Sequence, residues 1–112
     1  PAAGVALILM LMVLMAPKPV DASGDKVSYS TIRQTMDKRC VSCHADKPTF
    51  EGFAEAPKGV MLQTPEQVTQ HAAKVAETVA SGYMPLGNLT EITDKEREEI
   101  AVWFAQGAHT AD

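Results

Sequence analysis

The sequence predicts an all-α protein, and three observations carry that prediction. Two stretches, Thr64-Pro65-Glu66-Gln67 and Thr93-Asp94-Lys95-Glu96, place a hydroxyl and, three residues on, a Gln or Glu in the capping-box arrangement that opens helices. Apolar residues then recur at three- and four-residue spacing after each start, and again after Ser28. No segment alternates apolar and polar residues as a half-buried strand does.

In chain order, the first element is a charge-free apolar run, Pro1 to Ala16 (PAAGVALILMLMVLMA), closed by Pro17-Lys18-Pro19. Having no polar face at all, it fits poorly as a buried core helix of the domain. Two readings remain: residues 1–16 are the C-terminal part of a transmembrane helix, which needs about 20 apolar residues, or a signal-peptide core, which needs about 7 to 15. Val20-Asp21-Ala22 offers small or permissive residues where a signal peptidase would cut. Lys18 and Lys26 near the apolar end are balanced by Asp21 and Asp25, unlike the basic excess of a cytoplasmic flank.

Residues 17–27, rich in Pro, Ser, Gly and Asp, read as a poorly ordered linker, and 28–112 as one domain. A domain of about 90 residues is small for a self-sufficient core. Its aromatics are few, with three Phe, two Tyr and one Trp in the whole chain, so a buried cofactor would supply much of the missing apolar surface.

The first helix of the domain starts from Ser28 as N-cap and carries Tyr29, Ile32 and Met36 on one face, which should pack on the last helix. Residues 45–63 contain Pro48, Gly52, Pro57 and Gly59, whose missing donors and tight turns predict a loop wrapping a ligand. The helix from Thr64 carries Val68, Ala72, Val75, Ala76 and Val79 on one side and stops near Ser81-Gly82. His71 within it reads as a partly exposed residue and not a ligand. The helix from Thr93 presents Ile100, Trp103 and Phe104 as its core face, with Glu96, Glu98 and Glu99 solvated. Gly107 follows it, and His109 to Asp112 should fray.

The chemistry lies in Cys40-Val41-Ser42-Cys43-His44. Two thiols separated by two residues, with an imidazole directly after the second, suit covalent attachment of one haem c, with His44 on the iron. These are the only two cysteines, which rules out a disulfide framework or a four-thiolate metal site. A zinc site would have to recruit His44, His71 or His109, of which His44 is too close to Cys43 for easy tetrahedral geometry. A thioredoxin-like redox pair would need the motif at a strand-to-helix junction, and no strand is predicted.

A ligating His donates its second ring N–H to a carbonyl, and Pro57 is the candidate, with Pro48 the alternative. Tyr83-Met84-Pro85-Leu86-Gly87 supplies a thioether before a Pro turn between two helices, which makes Met84 the candidate sixth ligand over Met36 and Met61. His44 and Met84 together would leave no open iron position.

From Ser28 to Gly107 the order of helix, Cys-x-x-Cys-His, loop, helix, Met-Pro turn and aromatic-bearing helix resembles a class I cytochrome c domain. That family folds as three main helices around one covalently attached haem. Within it, CVSCHADKPTFEGFAEAPKGVMLQTPEQV and MPLGNLTEIT are similar to the C-terminal cytochrome domain of bacterial membrane-bound urate oxidases, in which a multi-helix membrane domain precedes the cytochrome. The resemblance implies a bacterial inner-membrane location with the domain facing the periplasm, where covalent haem attachment takes place. Its partners would be the upstream membrane domain of the same polypeptide and a respiratory redox carrier.

The fragment itself would be no enzyme; the full-length parent would be an oxidoreductase acting on urate. Two other readings stay open: a stand-alone periplasmic electron carrier from a cleaved precursor, and an open-site haem enzyme or sensor if Met84 is not a ligand. Net charge is −4, and no nucleic-acid partner is expected. Lys18 to Lys58 holds seven basic and six acidic residues and the rest three and eight, a modest asymmetry that suits ordinary surface charge slightly better than partner orientation.

Overall fold

A computed structural model describes residues 2–15 and 20–111. Within them the chain is all-helical, with α1 at Ala2–Met15, α2 at Tyr29–Arg39, α3 at Pro65–Ala80 and α4 at Asp94–Ala105. Two short 3₁₀ turns, Pro57–Gly59 and Leu86–Asn88, sit in the loops before α3 and α4. Pro17, Lys18 and Pro19 of the expected linker lie outside the described residues.

α1 is apolar all round, and the side chains of Val5 to Leu11 are exposed. Its 14 residues span about 21 Å at the α-helical rise, less than the hydrocarbon core of a bilayer. Among the described residues no helix is long and apolar enough to cross a membrane.

The three remaining helices start where their caps predict. Ser28 accepts from the Thr31 N–H, and Thr64 and Thr93 each form a complete capping box, with Gln67 and Glu96 bonding back to the cap N–H. α2 and α3 each pack against α4. Tyr29, Ile32 and Met36 of α2 meet Val68, Ala72, Val75 and Val79 of α3 and Ile100 and Trp103 of α4 in one buried cluster. Trp103, Ile32, Met36, Ile100 and Val68 are fully enclosed. Each such side chain contributes about 1.5–3 kcal/mol by leaving water.

Three expectations need correction. Phe104 is 39 % exposed, because only Ile100 and Trp103 of the predicted face point at α2 and α3. The tail after α4 is tied down: the Trp103 indole donates to His109 O at 2.8 Å, and the Ala108 N–H to Trp103 O at 3.0 Å. A buried indole needs an acceptor, and the turn at Gly107 (φ 108°) brings one back over the helix end. The second half of the linker is likewise held, since the Gln106 side chain accepts from the Val27 N–H at 2.9 Å and donates to Asp25 O at 3.0 Å.

Candidate functional site

The Cys-x-x-Cys-His stretch continues the winding of α2. The N–H groups of Cys40 and Val41 both donate to Met36 O at 2.9 Å, and those of Cys43 and His44 to Cys40 O at 3.1 and 2.8 Å. This tight winding brings Cys40, Cys43 and His44 to the wall of one cleft of about 220 Å³, partly open to solvent. Both cysteines are free thiols. Burial pushes the Cys40 thiol up to about 12 against the smaller opposing charge of Arg33, so it stays protonated at neutral pH.

His44 is oriented from behind. Its Nδ1 lies 2.9 Å from Val60 O, and because a carbonyl can only accept, Nδ1 carries a proton, so in the neutral imidazole Nε2 is the nitrogen that keeps its lone pair. Pro57 does not supply this carbonyl. Its own C=O accepts from the Val60 N–H at 3.0 Å, closing the 3₁₀ turn that presents the Val60 carbonyl to His44. Pro57 therefore acts one step back, through the turn, and also lines the cleft. Pro48 is not among the lining residues.

The Leu62 N–H donates to His44 O at 2.9 Å, and Arg33 of α2 donates to Leu62 O at 2.7 Å and Gln63 O at 3.1 Å. The loop is thus tied to the motif on one side and to α2 on the other.

Val75, Thr78 and Val79 of α3 form another part of the lining, with the rim residues Lys74 and His71. His71 is half-buried as expected, yet it faces the cleft. The loop between α3 and α4 adds Tyr83, Met84, Pro85, Leu86 and Leu89. Of the three candidate methionines only Met84 reaches the cleft; Met36 is enclosed in the helical core, and Met61 is not in the lining.

The loop carrying Met84 is held by arginines. Arg97 of α4 donates to Val79 O at 2.7 Å and Met84 O at 2.9 Å. Arg39, at the end of α2, donates to Thr90 O at 2.6 Å and to Glu96 at 3.1 Å, while the Thr90 hydroxyl donates back to Arg39 O at 2.7 Å.

Val60, Arg39 and Arg97 carry no mark in the sequence, because each acts on a partner distant along the chain. Only the Pro57-Lys58-Gly59 turn points toward Val60.

The donor set fits a covalently held haem: a mainly apolar cleft, two unpaired thiols, an imidazole whose Nδ1 is bonded to a carbonyl, and a thioether. Among the described residues no group of three or more His, Cys, Asp and Glu is arranged to hold a bare metal ion. Comparison with protein-family models, with curated proteins and with solved structures gives no match.

Proposed function

We propose that this chain is a class I cytochrome c domain that carries one haem c in the cleft and transfers single electrons. The observation that carries the reading is the convergence of the closely spaced Cys40, Cys43 and His44 with Met84, forty residues on, on one apolar cleft. Cys40 and Cys43 would hold the group through thioether bonds, and His44 Nε2 and the Met84 sulfur would bind its iron. When bound, haem supplies a one-electron ferric/ferrous couple. The residues around it set that couple's working conditions. Val60 fixes the imidazole tautomer and strengthens its basicity, the thioether of Met84 favours the reduced state, and the apolar walls limit water. With His44 and Met84 both holding the iron, no position would be left for oxygen or substrate, which favours a carrier over an enzyme.

The wider context belongs to the same proposal. The domain faces the periplasm at the bacterial inner membrane, as the C-terminal electron-accepting part of a membrane-bound urate oxidase, and passes electrons to a respiratory carrier. Support comes from the resemblance of the two stretches around Cys40 and Met84 and from the all-apolar surface of α1.

The test is an absorption spectrum of the full chain expressed with c-type maturation machinery, oxidised and then reduced. A low-spin c-type spectrum with the weak red band of ferric thioether ligation, lost on Met84→Ala, is the expected result. A high-spin spectrum that shifts with carbon monoxide would replace the carrier with an open haem site, and absence of haem would overturn the reading. For the context, urate should reduce the haem only when the upstream membrane domain of the same polypeptide is present.

A further inference from the structure

Arg97 stands in the first turn of α4, at that helix's own positive end, where a cation costs stability unless its charge is directed elsewhere. Here it is directed to α3. Its Nη1 carries two protons and donates to two carbonyls, Val79 O at the C-terminal end of α3 and Met84 O in the loop that follows. Helix C-termini leave carbonyls without helical partners and concentrate the negative end of the dipole, so a guanidinium is favoured there on both counts. Arg33 and Arg39 each also pair with a carboxylate, Asp37 and Glu96; Arg97 has no carboxylate partner among the described residues. The Met84 N–H donates to Thr78 O at 3.0 Å. The backbone of Met84 is therefore held on both sides of its Cα, by α3 through its N–H and by α4 through its C=O.

We propose that Arg97 is the positioning residue for the Met84 thioether, holding the sixth ligand in place through the carbonyls of Val79 and Met84. The proposal rests on Met84 as an iron ligand. Loss of this contact frees the loop to swing and lets an outside ligand compete for the iron.

The experiment uses the full, haem-loaded chain and titrates ferric protein with imidazole while following the red thioether band, in Arg97→Gln, Arg97→Lys and Ile100→Val. Ile100 is enclosed on the same helix and outside the cleft lining, so its variant reports general destabilisation of α4. Arg97→Gln should bind imidazole about tenfold more tightly, as expected for a lost hydrogen bond from a charged group, with a weakened band. Arg97→Lys, which keeps a cation, should recover part of the difference. Ile100→Val should lower the thermal midpoint and leave imidazole affinity and band unchanged.

An intact band with unchanged imidazole affinity in Arg97→Gln would overturn the proposal, as would an equal effect from Ile100→Val. If the Gln variant fails to fold, the Lys variant decides by the same two readings. A wild-type spectrum without the thioether band would remove Met84 as ligand, and this proposal would fall with the reading beneath it.

Discussion

The two axial candidates are held in different ways. His44 is fixed at three points: its N–H bonds back into the Cys40 turn, its C=O accepts from Leu62, and its ring meets Val60 O from the same returning loop, which Arg33 braces against α2. Met84 is held through its backbone, by Thr78 O of α3 on its N–H and by Arg97 of α4 on its C=O, and the other end of its loop is tied by Arg39 of α2. On the imidazole side the ring itself is hydrogen-bonded, whereas on the thioether side only the backbone of Met84 is held, with its C=O dependent on a long side chain placed by the packing of α3 and α4. A side chain hydrogen-bonded directly keeps its orientation through loosening of the core better than one held only through its backbone. The thioether side should therefore be the first to open.

The largest effect that bears on this contrast is expected from removing the covalent anchor. Cys40→Ala with Cys43→Ala should leave haem fully extractable by acidified organic solvent, where the parent protein retains it, and should lower the unfolding midpoint because the small core loses its apolar partner. Retention of haem by the double variant after denaturation would count against thioether attachment.

Met84→Ala comes next and should act on one side alone. Haem stays bound and His44 stays ligated, but the red band disappears, the reduction potential falls and carbon monoxide binds the ferrous protein. The stability cost should be no more than about 2 kcal/mol, the low end for Met-to-Ala in a core, because Met84 is only partly buried. A larger loss, or loss of haem, would show that the two sides are not separable.

How far along the chain each contact reaches explains what could be read in the sequence. The helix starts were legible because capping is local: Ser28, Thr64 and Thr93 act on N–H groups within three residues of themselves. Tyr29, Ile32 and Met36, and Val68, Ala72, Val75 and Val79, were legible as core because helical period sorts faces without knowledge of the partner. Cys40, Cys43, His44 and Met84 share the cleft, so the candidate site was legible in its residues but not in its supports. The acceptor for His44 was misplaced by three positions, from Pro57 to Val60, because a 3₁₀ turn rotates which carbonyl faces inward and composition does not record that rotation. The tail and the linker were expected to be loose, yet Trp103 holds His109 and Gln106 holds Asp25 and Val27. Those ties join segments far apart in the chain, and no local pattern announces them.

The smallest expected effect separates charge from packing at the far end of the Met84 loop. Glu96 pairs with Arg39 at 3.1 Å and also completes the capping box of α4 through the Thr93 N–H at 2.9 Å. Burial alone would raise its pKa, but the hydrogen bonds from Thr93 and the charge and hydrogen bond of Arg39 together hold it below the ordinary 4.5. The unfolded chain then takes up this proton more readily than the folded one. Stability from the Glu96 carboxylate is accordingly complete above pH 4.5 and is lost as the pH falls through the lower folded value. Glu96→Gln keeps the shape and removes the charge, so it should cost about 1 kcal/mol at neutral pH. That difference from the parent should shrink toward zero as acid protonates Glu96 itself. Urea midpoints of the two proteins, measured at neutral pH and again well below pH 4.5, give the comparison directly. A gap that persists unchanged into acid would mean that the charge of Glu96 is not its source, and that the carboxylate does not hold Arg39 and the Thr90 end of the loop electrostatically.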